Sequence, residues 1–277
     1  MFSFLSTFFS KKQIDCFAAI PLEDCRIVRP YLLDKHGIQR SGTVIVMAVP
    51  YYTRSCDDPR RNLSAYATSR DYHTFYKMLF EELIPCLQDR FPQFRFAGFA
   101  DHSPIDELDA AVRAGLGVYG KNHLVITPKY SSYVFLGELI TDAIIPCVSH
   151  PVRTCEDCGA CMRICPSKEC GGCLSALTQK KGILNDEEKR TILKYESVWG
   201  CDICQETCPH TIAAKRNGTV YSPIPFFQEA SIPELTLSIF DEMSDTEFAG
   251  RAYAWRGRDT IRRNLLLFEE EKGEHKC

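Results

Sequence analysis

The 277-residue sequence has no long hydrophobic run, no strong excess of one charge and no internal repeat. No stretch reaches the roughly 18–20 apolar residues that a bilayer-spanning helix needs, which argues against an integral membrane protein. A net charge of −3 gives no global reason to expect nucleic-acid binding, although a local basic face is compatible with it. With 45% apolar and 25% charged residues, the composition is typical of a globular protein with one large or two moderate domains.

The N-terminal residues also lack the features of a secretion signal. Residues 1–10 are apolar, but no basic leader precedes them and no small-residue cleavage site follows. We therefore expect this segment to pack on the domain surface. Many free thiols fit a reducing compartment, so the sequence predicts a cytoplasmic protein with no membrane partner.

Cysteine, in contrast, is abundant, and eight of the 15 cysteines lie in or beside two spaced runs. The first run is Cys155-x2-Cys158-x2-Cys161-x3-Cys165-Pro166, and the second is Cys201-x2-Cys204-x3-Cys208-Pro209 with Cys173 upstream. The first run has the spacing of bacterial ferredoxins, in which three close thiolates bind one cluster and the fourth binds the other. The protein is therefore predicted to handle electrons.

The spacing also predicts which thiolates share a cluster. Two residues between cysteines let the backbone curl around one face of a cluster, whereas three residues and a proline carry the fourth thiolate to its neighbour. The expected ligands of one [4Fe–4S] cluster are Cys155, Cys158, Cys161 and Cys208, and those of the other are Cys165, Cys173, Cys201 and Cys204. Two four-thiolate zinc sites are the competing interpretation, and Cys170 can replace Cys173 as a ligand.

The apolar pattern predicts an α+β domain at residues 1–150. Strands are expected at residues 43–50, 94–100, 123–127 and 133–141, and helices at residues 63–90 and 105–114. Asn62 and Ser103 are the expected N-caps, and Pro85 should kink or split the first helix. A cluster module at residues 151–212 and a C-terminal extension at residues 213–277, a proline-broken loop and then a basic helix, complete the expected organisation.

Three short segments contain residues that can carry further chemistry. Asp101 lies where a strand meets a helix, and it either caps that helix or donates a proton, a role that requires burial to raise its pKa. The glycine-rich turn ending in Lys121 and Asn122 is either structural or a site for a phosphate or carboxylate. Arg70 and His73 are expected on one face of the long helix, as a surface network or a ligand-facing patch.

Taken together, these motifs resemble epoxyqueuosine reductases, which are cobalamin and iron–sulfur enzymes of queuosine synthesis in tRNA and relatives of reductive dehalogenases. The matching segments are residues 70–73, the strand end at Asp101, residues 114–122 and 135–142, both cysteine runs, residues 173–182 and the basic residues 256–264. The resemblance extends over about residues 40–268, and the combination is specific although most single segments are not.

The resemblance implies a nitroreductase-like corrinoid-binding domain followed by a bacterial-ferredoxin-like double [4Fe–4S] module. It implies cobalamin bound without its lower base, with Asp101 as the proton donor above the cobalt. An external low-potential electron donor would supply the electrons through the clusters. The residues expected to line the cofactor and substrate pocket are Arg70, Tyr72, His73, Gly117, Lys121, Asn122, Gly137 and Thr141.

The sequence departs from this family at points that bear on the substrate. His102-Ser103-Pro104 stands where the family has glycine before proline, and Val118 replaces a common aromatic residue. The sequence stops at Cys277, where full-length relatives continue into helical repeats that grip tRNA. We expect a monomeric epoxyqueuosine reductase with tRNA as a candidate partner. The alternatives are a reductase of the same mechanism with another small organic substrate, and a corrinoid-free electron-transfer protein.

Overall fold

The computed structural model describes residues 1–169 and 171–274, so the alternative ligand Cys170 lies outside the described residues. Within these residues the β-strands are Phe17–Pro21 (β1), Thr43–Pro50 (β2), Phe96–Phe99 (β3), Val118–Tyr119 (β4), Val125–Ile126 (β5) and Val134–Thr141 (β6). The α-helices are Phe2–Lys11 (α1), Pro30–Lys35 (α2), Ala65–Thr68 (α3), Tyr72–Arg90 (α4), Glu107–Arg113 (α5), Ala160–Ile164 (α6), Leu174–Thr178 (α7), Asp186–Lys194 (α8), Ile203–Glu206 (α9), Pro209–Arg216 (α10), Pro225–Gln228 (α11), Leu237–Glu242 (α12), Asp245–Ala249 (α13) and Arg258–Glu274 (α14).

The described residues fold into two compact units, each assembled from three segments of the chain. The first unit contains Met1–Tyr51, Tyr72–Cys158 and Pro209–Ile224; the second contains Tyr52–Asp71, Gly159–Cys208 and Pro225–Cys277. These units cut across the linear division at residues 150 and 212 that the sequence suggests. No described helix is both long enough and apolar enough to cross a bilayer.

An antiparallel sheet with the strand order β1-β2-β6-β3 forms the centre of the first unit. Strand β2 lies between two neighbours and is buried along its whole length, which accounts for its continuous apolar sequence. The α+β expectation is confirmed, as are the strands expected at residues 43–50, 94–100 and 133–141. The strand expected at residues 123–127 is shorter than expected. It consists of β5 alone, which pairs with β4 in a separate two-stranded sheet.

Helix α4 packs closely on this sheet because two glycines leave room for its aromatic rings. A Cβ on Gly98 in β3 would lie 2.2 Å from the Phe80 ring, and a Cβ on Gly137 in β6 would lie 2.3 Å from the Tyr76 ring. Glycine inside a strand commonly marks such a close approach. The helix therefore cannot shift easily relative to the strands that lead to Asp101.

The helices differ from expectation mainly at their ends. The helix expected at residues 63–90 is two helices, α3 and α4, and Pro85 lies inside α4 without splitting it. Asn62 is not an N-cap, because its side chain bonds to the backbone of Leu235. Helix α5 begins at Glu107 rather than Ile105, since Asp106 and not Ser103 caps it by accepting the Asp109 N–H.

The expected packing of the N-terminal segment is confirmed, because Phe2–Lys11 forms helix α1, which buries Leu5, Phe8 and Phe9. One expectation about an irregular segment is corrected. The stretch after Cys208, expected as a loop, contains α10, α11 and α12. Its prolines do not break these helices: Pro209 and Pro225 each occupy a first helical position, where a missing N–H costs nothing.

Candidate active site

Asp101 lies just beyond the end of β3 in the first unit, with its side chain 58% exposed. Its backbone has a positive φ of 61°, which places the residue in the left-handed region. The Tyr72 hydroxyl donates a hydrogen bond to Oδ2, and His73 Nε2 lies 3.1 Å from the same oxygen. Both partners are the first residues of α4, so one helix start holds the carboxylate.

These partners determine the proton affinity of Asp101. Burial raises its pKa, but the hydrogen bonds from His73 and Tyr72 outweigh that effect, and the net pKa lies below its usual value. The expectation that a proton-donating Asp101 would be buried with a raised pKa is therefore not met. Held as it is, the carboxyl group is ionised near neutral pH and needs a proton from elsewhere before it can donate one.

Tyr72 is itself fixed by stacking. Its ring lies 4.0 Å from the Phe135 ring at an interplanar angle of 11°, and Tyr51 contacts the same Phe135 ring at 4.3 Å. The sheet thus supports the aromatic side of the Asp101 group through residues that the sequence places far apart.

The glycine turn has a structural role. A Cβ on Gly117 would lie 2.4 Å from the Ile126 carbonyl oxygen, and one on Gly120 would lie 2.3 Å from Asn122 Oδ1. Asn122 Oδ1 is buried and finds no hydrogen-bond partner among the described residues. A buried acceptor without a donor is unfavourable, so a bound group that donates to it fits this position.

Lys121 links the turn to the first cysteine run. Its Nζ lies 2.5 Å from Asp157 Oδ1. Tyr119 also holds the segment, because its N–H donates to Arg153 and its carbonyl accepts the Cys155 N–H. The turn therefore positions the start of the cysteine run, a role that sequence reasoning did not assign to it.

Of the expected pocket residues, Tyr72 and His73 contact Asp101, whereas Gly137, Thr141 and Arg70 lie elsewhere. Gly137 is buried beneath Tyr76. Thr141 pairs with Phe96 at the opposite end of β3 from Asp101, and its hydroxyl accepts the Ala143 N–H. Arg70 is not on the long helix. It precedes α4, belongs to the second unit, pairs with Arg251 through its backbone and stacks 4.3 Å from the Phe226 ring.

Helix contacts and hydrogen bonds hold the backbone of the cysteine-rich part of the second unit. Helix α6, which contains Cys161, contacts helix α9, which contains Cys204. Asp202, between Cys201 and Cys204, accepts hydrogen bonds from Arg61, Ser64 and the Ala65 N–H at 2.5–2.6 Å. Because Asp202 is almost fully buried, these bonds fix the backbone from which both cysteines project.

The thiols of the two cysteine runs have the donor chemistry of an iron–sulfur site. None of the eight expected ligands is joined in a disulfide in the described part of the chain. Burial, followed by the charges of Asp202, Cys204 and Cys173, raises the pKa of Cys201 to about 12. Such a cluster of thiols is stable as thiolates only when metal compensates their charge. No three metal-binding side chains in the described part of the chain converge on a single-ion position.

Sequence reasoning missed a pair of acids behind Asp101. Glu138 in β6 is fully buried, and Glu107 begins α5. The pKa of Glu107 is raised to about 7, first by burial and then by the charge of Asp101. The sequence does contain one sign of this pair, which is that Glu138 stands inside an otherwise apolar strand. An acid in that position is rarely tolerated without a function.

Comparison with known proteins agrees with the resemblance seen in the motifs. The family model described as "Epoxyqueuosine reductase QueG, DUF1730" matches residues 36–102. The epoxyqueuosine reductase of Lactococcus garvieae is 30% identical over 254 residues, covering 85% of this chain and 70% of the relative. The chain belongs to the epoxyqueuosine reductase family.

A second relative and two solved structures extend the comparison. The epoxyqueuosine reductase of Listeria monocytogenes is 32% identical over 242 residues, covering 81% of this chain but 63% of the relative. The structure of epoxyqueuosine reductase from Streptococcus thermophilus has a TM-score of 0.75 at 25% identity, covering 96% of this chain and 80% of that one. An epoxyqueuosine reductase bound to an epoxyqueuosine-modified tRNA-Tyr stem loop has a TM-score of 0.74 at 23% identity, with coverages of 96% and 80%.

Proposed function

We propose that this chain is a cobalamin-dependent iron–sulfur reductase that converts epoxyqueuosine to queuosine in tRNA. The observation that carries the proposal is the exposed Asp101 carboxylate held by Tyr72 and His73 at the start of α4. Family membership supplies the reaction class, and the relatives' names supply the substrate.

The reaction requires two electrons and two protons for each oxygen removed as water. Both carbon–oxygen bonds of the epoxide break, and a carbon–carbon double bond forms. Bound corrinoid would supply a strongly reducing centre beside the substrate, and an external low-potential donor would deliver the electrons through two [4Fe–4S] clusters.

The residues of the chain would handle the protons and the orientation. Asp101 would donate to the departing oxygen, because its exposed side chain can reach a bound ligand. Tyr72 and His73 would keep the carboxyl group oriented and stabilise the carboxylate after the proton has left. The buried Asn122 Oδ1 would accept a hydrogen bond from the bound cofactor or substrate.

The experiment that tests this proposal is a count of cofactors in protein purified without oxygen in the presence of corrinoid. We expect about eight irons and eight sulfides per chain together with near-stoichiometric corrinoid. Zinc in place of iron would overturn the cluster assignment. Full iron without corrinoid would instead support a plain electron-transfer protein.

A reductase of the same mechanism with a different organic substrate is the second candidate, favoured by the bonding of the basic residues. Arg258 and Arg262 pair with Asp245 and Asp241, and Arg263 donates to the carbonyls of Lys180 and Gly182. Arginines used in this way are less available to phosphate groups, whose neutralisation dominates nucleic-acid affinity.

A further inference from the structure

We propose that Glu107 and Glu138 form a buried carboxyl pair that holds a proton in reserve for Asp101. Both glutamates would act through Asp101 and are therefore positioning residues for the reduction. This inference rests on the proposed role of Asp101 as proton donor. The physical reason is that each turnover consumes two protons, whereas the Asp101 carboxyl group holds only one at a time and must be protonated again.

Glu138 occupies a position where an acid needs a specific reason to be kept. It lies on the interior strand β6, paired with Val46 of β2 on one side and Phe99 of β3 on the other. Its side chain is 0% exposed, and among the described residues no group makes a hydrogen bond of good geometry to either carboxyl oxygen. An ionised carboxylate in such a place is very unfavourable, so Glu138 is neutral and carries a proton.

Glu107 connects this buried acid to Asp101. It begins helix α5, which contacts strand β6, and its charge raises the pKa of Glu138, while the charge of Asp101 raises its own. Its Oε1 is buried and also lacks a hydrogen-bond partner in the described part of the chain. The two glutamates and Asp101 are thus neighbouring carboxyl groups, of which Glu138 lies in the sheet interior and Asp101 is exposed.

The proton affinity is higher at the buried pair than at Asp101, so the pair retains its protons and gives one up only as the reduction consumes the proton on Asp101. Burial and then the charge of Glu107 raise the pKa of Glu138 well above its usual value, and the pKa of Glu107 is raised to about 7. Asp101 is shifted in the opposite direction. At neutral pH the pair therefore holds protons that Asp101 does not.

The neighbouring charged and titratable groups act on this pair from several elements. Arg29 and His73 lower the pKa of Glu107, whereas Asp101 raises the pKa of both glutamates. The remaining groups that interact with Glu138 are Ser103, whose hydroxyl lowers its pKa, and the neutral side chains of Tyr76 and Cys25, whose pKa values Glu138 raises.

The proposed cycle conserves atoms and charge. Asp101 gives its proton to the departing oxygen and becomes a carboxylate. A proton then passes from the Glu107 carboxyl group to Asp101, and Glu107 takes up a proton from solvent. No electrons move in these steps, and Glu138 keeps its proton throughout, so that Glu107 stays next to a neutral partner.

The decisive variant is Glu107→Gln, which keeps the shape of the side chain but has no acidic proton to transfer. In the holoenzyme we expect kcat for epoxyqueuosine reduction to fall at least about tenfold at neutral pH, with KM nearly unchanged. The wild-type kcat should decline as the pH rises through about 7, and the variant should lose that inflection. An unchanged kcat and pH profile would overturn the proposal.

Infrared titration gives a test that does not depend on turnover. The protein without substrate should show the C=O stretching band of protonated carboxyl groups at neutral pH, and part of that band should disappear through about pH 7. Glu107→Gln should remove that part, and Glu138→Gln should remove the part that persists above about pH 7, because Glu138 keeps its proton there. Glu187→Gln, at an exposed glutamate near the start of α8, is the matched control and should change nothing.

The two measurements separate the possible failures. A titrating band without any reduction of epoxyqueuosine would leave the carboxyl pair standing and refute the proposed substrate. Absence of a protonated carboxyl band at neutral pH in the wild type would overturn the pair itself, whatever the activity. If Glu107→Gln does not fold, Glu138→Gln must lose the persistent part of the band, and an unchanged persistent part would also refute the pair.

Discussion

At the scale of single residues, the proposed chemistry depends on how Asp101 is held. Two consecutive side chains at the start of α4, Tyr72 and His73, bond to one carboxyl oxygen. They keep the carboxyl group oriented toward solvent, but they also favour its ionised form. A residue with this environment releases a proton readily and regains it only with help.

Replacing Asp101 with asparagine should abolish turnover. Asparagine has nearly the same shape but no acidic proton, so the reduction would lose its donor, a loss of about 10²–10⁴-fold. Iron, sulfide and corrinoid contents should equal those of the wild type, measured by elemental analysis and absorbance. Turnover at the wild-type rate would remove the assigned role of Asp101.

The stability of the fold should also report the buried acids. The folded-state pKa of Glu107 is raised from 4.5 to about 7, so between these values the folded chain keeps a proton that the unfolded chain releases. The free energy of unfolding should therefore fall as the pH rises through this window, by about 1–3 kcal/mol. Chemical denaturation of Glu107→Gln should show a flatter dependence on pH, and an equally steep one would contradict the raised pKa.

Sequence reasoning found Asp101 but not its buried partners, for a physical reason. A strand end followed by a helix is visible locally, and so was the glutamate within the apolar strand β6. That Glu107 lies near Glu138 depends on helix α5 packing against strand β6, a pairing of elements that are distant in sequence. Such a pairing has no local signature, so the acid pair emerged only from the structure.

At the scale of elements, short polar networks position the cysteine runs. Asp202 is the clearest case, because its carboxylate joins Arg61 to the backbone between Cys201 and Cys204. The same logic applies at the glycine turn, where Tyr119 and Lys121 hold the Cys155–Cys158 segment.

Asp202→Ala should disrupt the cysteine run of the second unit. Removing Asp202 leaves the buried Arg61 with only the half-exposed Glu206 as a partner and removes the bonds to Ser64 and Ala65, which together should cost up to about 3–5 kcal/mol. We expect lower iron content and a lower denaturation midpoint. Asp245→Ala, at a fully exposed carboxylate that pairs with Arg258, is the control and should cost less than about 1 kcal/mol. Wild-type iron content in Asp202→Ala would show that the network does not position the ligands.

Lys121 has two possible uses that a pair of variants can separate. The ion pair with Asp157 joins side chains that are 45% and 69% exposed, so its loss should change stability by less than about 1 kcal/mol. If Lys121 also binds the cofactor, Lys121→Gln should lower corrinoid retention and Asp157→Asn should not. Equal corrinoid retention in both variants would show that Lys121 does not bind the cofactor and only holds the turn through Asp157.

Elements with strong local patterns were predictable, and those made by distant contacts were not. Strands β2 and β6 are long apolar runs, and both were expected nearly at their observed ends. The break between α3 and α4 was not, because Arg70 leaves the helix to pair with Arg251, far along the chain. Gly137 was expected in the pocket but lies against the Tyr76 ring. The sequence alone does not show which neighbouring group comes close to a glycine in a strand.

At the scale of the whole molecule, family membership and the Asp101 group point to the same reaction. The chain spans 70% of one relative and 63% of another, so the substrate is the part of the proposal that most needs a direct test. The basic residues of the C-terminal segment are largely bonded within the second unit. Any tRNA contact they make is therefore expected to be limited.

The most direct test is mass spectrometry of an epoxyqueuosine-modified tRNA stem loop after incubation, without oxygen, with cofactor-loaded protein and a low-potential reductant. The proposal predicts conversion of the epoxyqueuosine nucleoside to queuosine, with the loss of one oxygen atom. The Asp101→Asn protein should leave the substrate intact. Unchanged epoxyqueuosine in the presence of protein that carries its full iron and corrinoid would contradict the proposed reaction.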